Sequence, residues 1–359
     1  MFKRIDFYII KKFLGTYFLC LLLIIAVAII IDLTEKMDDF YDSDLGIWDI
    51  IRMYYIHFVP YYMNMLSSIF TLIAVIFVTS KMANNSEIIA MLAGGISFRR
   101  ILVPYLFSAT VITVLNFYIG SFIIPPGTVQ RVAFEAQYVD HEEVENEVDH
   151  QEIRVRPNQI VYMQRYEKRM QRGYHFSIDT FDGKTLKERT TAARIEYDSA
   201  FIWTAKNYTT RRFVGMREEV EKGDELTMDI ALEPADLVVI EQHHEQLTTP
   251  ELKAYIDRGT KRGLSGLNPY KLEYQKRFAS PFMSIILTLI GVSLSARRVR
   301  GGTGLHLLVG AVLGVIYIVA TLFSAALTVK SGINPAMAIW LPNVVYLLIG
   351  LYIYQKAPK

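Results

Sequence analysis

Six apolar blocks, residues 13–33, 56–79, 101–124, 278–294, 305–327 and 337–354, constrain this chain more than any other feature of its sequence. Each is roughly 17 to 24 residues long and nearly free of charge, so at about 1.5 Å rise per residue each crosses, or nearly crosses, a hydrocarbon core of about 30 Å as a helix. Between the third and fourth blocks lies a polar stretch, residues 132–276, long enough to bury a core of its own. The 52% hydrophobic and 21% charged residues of this 359-residue chain are therefore segregated into membrane blocks and one soluble block. The expected organisation is residues 1–131 with three spans, residues 132–276 as an inserted domain, and residues 277–359 with three more.

Charge fixes the expected orientation. Lys3, Arg4, Lys11 and Lys12 precede the first block, and Lys81, Arg99 and Arg100 follow the second. Arg297, Arg298 and Arg300 follow the fourth, and Lys356 and Lys359 end the chain. The loop after the first block sets Glu35, Asp38, Asp39, Asp42, Asp44 and Asp49 against Lys36 alone. By the positive-inside rule both termini are cytoplasmic and the inserted domain lies on the far side. The first block reads as a retained anchor, because the small triplet Ala26-Val27-Ala28 sits inside the apolar run rather than after it. The single cysteine, Cys20, has no partner for an internal disulfide.

The inserted domain reads as all-β. Tyr174, Phe176 and Ile178 alternate with His175, Ser177 and Asp179, and Leu226, Met228, Ile230 and Leu232 alternate with Thr227, Asp229 and Ala231. That is the period of half-buried strands. Asp182-Gly183 is a hairpin signal, and residues 195–208, which include Trp203, are rich in β-branched and aromatic side chains. A sandwich or jelly roll follows, and residues 247–262 read as an amphipathic helix opened by Thr249-Pro250-Glu251 and closed by Gly263.

No catalytic constellation emerges. Gly301-Gly302-Thr303-Gly304 lacks the lysine of a phosphate-binding loop and opens a span, so no ATP site of that kind is expected. His243-His244 between Glu241 and Glu245 has no further ligand at metal-site spacing and reads as a solvated strand end. The run His141, Glu142, Glu143, Glu145, Glu147, Asp149 and His150 reads as a solvated connection.

A sharper feature follows the second block. Asn84-Asn85-Ser86-Glu87-Ile88-Ile89-Ala90-Met91-Leu92-Ala93-Gly94-Gly95 is a complete short helix over about 86–93: Ser86 at its start, Glu87 at the positive end of the dipole, and Gly94 as a left-handed terminator. Its apolar face is Ile88, Met91 and Leu92. So short a helix is unstable alone, so the face is expected on a membrane surface or against another protein. Near the end of the chain, Trp340 suits the interfacial belt, and Gly310 and Gly314 form a small-xxx-small pair.

Taken together, Ser86-Glu87, Ala93-Gly94-Gly95, Phe98-Arg99-Arg100, Pro104, Asn116, Pro125-Pro126, Pro281, Leu289-Ile290-Gly291, the run from Arg297 to Gly302, and Trp340-Leu341-Pro342-Asn343 resemble the LptF/LptG permeases of lipopolysaccharide export, in order and over nearly the whole chain. The resemblance implies a multi-pass protein of the bacterial inner membrane with a periplasmic β jelly-roll domain. It implies a non-catalytic permease subunit that takes lipopolysaccharide from the outer leaflet of that membrane. The implied partners are a second homologous permease chain, a cytoplasmic ABC ATPase dimer (LptB-like) that holds ATP and Mg, and periplasmic jelly-roll proteins (LptC/LptA-like). No cofactor in this chain and no nucleic acid are implied. Glu87, Ile88, Met91, Leu92, Gly94 and Gly95 are then the expected ATPase-coupling residues. Lys36, Arg52, Arg131, Lys276 and Arg277 are the cations available for lipid phosphates, and Phe176, Ile178, Trp203 and Met228 are the inward residues for acyl chains. The chain departs from the family in having Lys36 among six acidic residues where several basic residues usually stand, which weakens the phosphate assignment. The opening Arg4-Ile5-Asp6-Phe7-Tyr8-Ile9-Ile10 leans slightly toward the G-type subunit.

Two other classes stay open on the residues alone. A far-side sensor or scaffold has no use for a capped helix with an apolar face at the other end of the spans. A secondary transporter normally carries intramembrane charges or broken helices, and only His57, Asn64 and Asn116 approach that.

Overall fold

The computed structural model describes residues 3–43, 45–139, 147–167, 169–183, 185–199, 201–215, 217–232, 234, 243–262, 267–297, 302–331 and 333–357. Asp44, His141, Glu142, Glu143, Glu145, Glu241, Gly263, Arg298, Arg300, Gly301 and Lys359, which bear on the sequence reading, lie outside the described residues. The chain divides into two compact units: Met1–Val139 with Glu245–Thr249 and Asn268–Lys359, and Asp140–His244 with Pro250–Leu267.

The first unit holds six helices long and apolar enough to cross a membrane: span one (Arg4–Glu35), span two (Ile47–Asn84), span three (Phe98–Tyr138), span four (Asn268–Ser295), span five (Thr303–Thr328) and span six (Pro335–Gln355). Spans two, three and four begin or end well outside the apolar blocks. Span three runs on past residue 124 for a total of 41 residues, about 60 Å of helix and far more than a bilayer core needs. Hydropathy marks where the lipid-compatible stretch stops, whereas backbone hydrogen bonding continues through the polar turns beyond it. Spans two and three each contain one wide-turn π segment, Ile51–Tyr55 and Ile119–Ile123. Such segments interrupt the regular hydrogen-bond ladder, and Asn64 Nδ2 supplies a bond to the Asn116 carbonyl (2.7 Å) just before the second one.

Span four packs against spans two, three and six, and span one packs against spans two and three. Span one turns a single stripe inward, Asp6, Ile9, Phe13, Tyr17, Leu21 and Ile25, at helical spacing. A polar link ties it to the core: Tyr17 Oη and Ser67 Oγ lie 2.5 Å apart, and Asn116 Nδ2 donates to the same Ser67 oxygen at 2.5 Å.

The second unit is built on one six-stranded antiparallel sheet in which each strand pairs with the next: β1 (Glu147–Arg156), β2 (Gln159–Glu167), β3 (Arg172–Asp182), β4 (Thr185–Ser199), β5 (Ile202–Val214) and β6 (Arg217–Asp229). The all-β expectation holds. Its layout is a meander, because every link between described strands is a short hairpin, Gly183 taking φ +63° at the Asp182-Gly183 turn. Opposite charges face each other directly across the ladder: Arg189 grips Asp179 with two bonds (2.6 and 2.5 Å), and Arg212 meets Glu188 at 3.1 Å. At His175 and Asn207 the backbone turns to φ +51° and +54°, and the ladder skips those residues and resumes without a slip on both sides. One face carries the core, with Trp203, Tyr166, Phe176, Ile195, Ile230 and Leu232 buried. Trp203 Nε1 donates to the Leu232 carbonyl at 2.8 Å, and burial pushes the Tyr166 hydroxyl up to about 12.

Candidate functional site

The short helix after span two runs Glu87–Ala93. Two details of its capping differ from expectation. Ser86 adopts a left-handed backbone (φ +60°) and its side chain makes no capping bond, so it acts as the corner that separates the helix from span two. Gly95 (φ +81°), rather than Gly94 (φ −76°), is the left-handed terminator. The Ile96 amide reaches back to the Met91 carbonyl and the Gly95 amide to the Leu92 carbonyl, each at 3.0 Å, closing the helix in the paired-bond pattern that glycine permits.

The apolar face expected to seek another surface is already covered by its own chain. Ile88 is 1% exposed, and Met91, Leu92 and Ile96 pack on the core group that contains Ile9, Phe13, Met82 and Phe98. Tertiary packing thus supplies the stability that so short a segment lacks, which corrects the expectation that a membrane surface or another protein has to supply it. The side left exposed is Ile89, Ala90, Ala93, Gly94 and Gly95. Glu87 faces span one. Its carboxylate takes a hydrogen bond from Tyr8 Oη (2.9 Å), Lys12 Nζ lies 3.2 and 3.3 Å from its two oxygens, and Asn85 Nδ2 lies 3.3 Å away. Partial burial alone would raise this carboxyl, but the bonds from Tyr8, Asn85 and Lys12 and the lysine charge outweigh it and hold the group below its ordinary value.

At the other end of span one, Lys36 is engaged by its own chain. Its ammonium lies 2.7 Å from Glu135, 3.3 Å from Asp32 and 2.5 Å from Tyr54 Oη. Tyr54 Oη sits 3.0 Å from both carboxylates and donates to one of them, while Tyr55 Oη donates to Asp32 at 3.1 Å. One cation thus serves two carboxylates, leaving the cluster unsuited to hold a further anion. Arg52 lies in the first π segment, exposed and without an ion-pair partner among the described residues. Beside the cluster, an apolar cavity of about 1060 Å³ opens between spans one and two, lined by Ile29, Leu33, Phe40, Ile51, Tyr55 and Val59 among others.

The structure brings the other three candidate cations together around Tyr61. The Arg131 guanidinium stacks 4.4 Å from the Tyr61 ring centroid, and its buried Nε has no hydrogen-bond partner among the described residues. Lys276 and Arg277 line a cavity of about 260 Å³ with Tyr61, Asn64, Glu245 and Glu273, closed elsewhere by apolar residues such as Met65, Ile124 and Leu322. Arg277 is spent on structure: it bonds Glu273 (3.1 Å), the Leu247 carbonyl (2.7 Å) and Thr249 Oγ1 (3.2 Å), pinning the chain that re-enters the bundle. Lys276 lies 3.4 Å from the second oxygen of Glu273, and its side chain is half exposed. Of these cations, Arg131 and Lys276 retain unused donors.

In the sheet, Phe176, Ile178 and Trp203 are buried on one face and Met228, the register partner of Trp203, is half-buried there. That face is filled by its own side chains. The strand β6 stands at one edge of the sheet with most of its residues exposed.

Sequence reasoning missed Tyr8 and Lys12 beside Glu87, Asp6 beside Arg100 (2.5 Å), and Glu135 and Tyr54 beside Lys36. These partners come from other helices and leave no local signal; only the Asp32 to Lys36 spacing of four was legible. Among the described residues no group of three or more His, Cys, Asp or Glu is placed to hold a metal ion.

Comparison with curated proteins gives no match. A family model described as lipopolysaccharide export system permease LptF/LptG matches residues 7–356, taking in all six spans and the inserted sheet. Six membrane-crossing helices in two groups of three, an antiparallel sheet unit between them and a near full-length match lead to one conclusion: this multi-pass membrane protein belongs to the LptF/LptG family of lipopolysaccharide export permeases.

Proposed function

We propose that this chain is a non-catalytic transmembrane subunit of an ATP-driven lipopolysaccharide exporter, seated in a bacterial inner membrane beside a second homologous chain. A separate cytoplasmic ATPase dimer binds ATP and Mg and docks on the helix Glu87–Ala93. The observation that carries this reading is that the seven-residue helix is seated on the bundle through Ile88 and presents Ile89, Ala90, Ala93 and the edge of Glu87 outward. A helix so held is a rigid relay, because what pushes on its exposed side moves the spans beneath it. The basic residues at the same end of the spans, Lys81, Arg99 and Arg100, support its placement in the cytoplasm.

At the opposite end, the apolar cavity between spans one and two suits acyl chains, and Arg131 and Lys276 are better placed than Lys36 for a lipid's phosphates. The edge strand β6 is a template for a further strand, which supports hand-over to a periplasmic jelly-roll protein. Lipid passing along the Phe176, Ile178, Trp203 and Met228 face would have to part a packed core first.

The test is recovery of the ATPase with the purified chain, and lipid release, for Glu87→Ala, Glu87→Lys and Glu87→Gln. Removing one member of a water-excluded interfacial charge pair costs about 2 kcal/mol or more, so Ala and Lys are expected to weaken ATPase recovery by roughly thirtyfold while membrane insertion stays intact. Silence of Gln alone reduces Glu87 to a helix-end residue, and normal values for all three remove it from the mechanism.

A further inference from the structure

We propose that Lys12 and Tyr8 of span one are positioning residues for the docking helix, a polar staple through which movement of Glu87–Ala93 is passed into span one. The inference rests on reading that helix as the ATPase contact.

The segment that contains the helix is tied to span one at both of its ends. At its first residue, Glu87 meets Lys12 and Tyr8; after it, Arg100 meets Asp6 at 2.5 Å, the Asp6 side chain being 4% exposed. Lys12 stands six positions beyond Asp6, about 9 Å along the helix, so the two links grip span one at separate levels and oppose rotation of one helix about the other. The Glu87 link is itself built from several parts. Lys12 Nζ reaches both carboxylate oxygens and also stacks 4.2 Å from the Tyr8 ring centroid, and Tyr8 Oη bonds the second oxygen. With Asn85 added, most of the accepting capacity of the carboxylate is committed within the chain.

Seating does not require this link. Ile88 is already buried in the core group that includes Ile9 and Phe13 of span one, and non-directional apolar contact holds the helix against the bundle. A charge-assisted, multiply bonded contact adds direction. It sets which way Glu87 points and makes span one follow it. Span one is held along one stripe and not enclosed: only 17% of its most apolar stretch is buried within the chain. A partner cation arriving at Glu87 has to share or displace Lys12, so docking at the helix and the restraint on span one are coupled through one carboxylate.

The experiment uses the full chain assembled with its second permease chain and ATPase in vesicles, with lipopolysaccharide as the probe. Complex recovery, ATP hydrolysis and lipid released per ATP are measured for Lys12→Met, Tyr8→Phe, Glu87→Gln, Glu87→Lys, Lys12→Glu and the swap Lys12→Glu with Glu87→Lys. Lys12→Met is expected to keep recovery and hydrolysis within about twofold while lipid released per ATP falls about fivefold, the equivalent of roughly 1 kcal/mol; Tyr8→Phe moves the same way by less. The swap regains the thermal stability that Lys12→Glu loses, yet still fails to hold the ATPase. Wild-type lipid release per ATP in Lys12→Met, a fall only in proportion to lost complex, or a swap that fails to regain stability overturns the staple. Normal recovery and release in Glu87→Gln and Glu87→Lys instead overturns the ATPase reading, whatever Lys12 does.

Discussion

Span four and span five are both apolar enough to cross a membrane, yet 72% of the most apolar stretch of span four is buried within the chain and only 11% of that of span five. Hydrophobicity does not account for the burial, since the barer span five is the more apolar of the two: lipid tails are as apolar as leucine and give helices no reason to leave the bilayer for one another. Small residues do. Span four buries Ser284, Thr288, Gly291, Ser293 and Ser295, whereas span five turns Leu308, Val312, Val315, Val319 and Leu322 outward. Close approach of these small residues holds the first, together with hydrogen bonds from Ser68, Thr113 and Asn343 to the carbonyls of Ser280, Pro281 and Ala279, and the second keeps bulky side chains that lipid, or another chain, has to cover. With span one similarly bare at 17%, the chain presents two apolar helices on a folded scaffold, which suits a subunit that completes its cavity with a second one.

The largest expected effect is at Gly291. A Cβ built there lies 2.3 Å from Val75 Cγ1 and 3.4 Å from both Ile76 Cγ1 and Leu72 Cδ1, all within span two. Val75 is fully buried and branched at that atom, so it has nowhere to turn. Gly291→Leu therefore forces spans two and four apart, at a cost of about 1 to 3 kcal/mol or more for overpacking. Thermal unfolding of the purified chain in detergent checks it, and an unchanged Tm would mean that span four is not the close-packed centre.

A middle-sized effect is expected where span five is attached. Asn343 of span six donates through Nδ2 to the Ala279 carbonyl of span four (2.8 Å) and accepts from Tyr317 Oη of span five (3.0 Å), so one buried amide joins three helices. Interhelical hydrogen bonds in membranes average about 0.6 kcal/mol and reach about 1.7, and Asn343→Ala removes two of them. The expected loss is about 1 to 2 kcal/mol, with protease sensitivity rising in the loops on either side of span five before global unfolding. Uniform sensitivity along the chain would show instead that span five is no more loosely held than span four.

Much of this architecture was legible because its signals are local. Apolar runs gave the six spans, period-two alternation gave the Phe176 and Met228 strands, and a serine, a glutamate and two glycines marked the Glu87 helix. Residues that act through tertiary partners were not. Nothing near Lys36 in sequence indicates that Glu135, 99 positions away, neutralises it, and nothing near Glu87 points to Lys12, 75 positions away. The exposed face of the short helix was misread for a related reason: Ile88, Met91 and Leu92 are apolar because they pack inward, so the surface left for a partner is the blander Ile89, Ala90 and Ala93. Helix length was underestimated where polar turns carry spans three and four beyond their apolar blocks.

The smallest expected effect is at Gly314, and it probes the comparison from the loose side. Gly310 and Gly314 share a small-xxx-small spacing, but only one of them makes a close approach. A Cβ at Gly310 falls 2.2 Å from Ile76 Cδ1, the rotatable tip of that side chain, while a Cβ at Gly314 meets nothing nearer than Leu72 Cδ2 at 3.9 Å, an ordinary van der Waals separation. Gly314→Ala thus adds a methyl without a clash. It also replaces the residue least suited to a helix interior, a gain of up to about 1 kcal/mol in water and less in a bilayer, where helices are already held by their own hydrogen bonds. The purified chain is expected to unfold at the same temperature or slightly higher. A fall in Tm comparable with that of Gly291→Leu would show span five packed on span two as tightly as span four is, and the contrast between them would collapse.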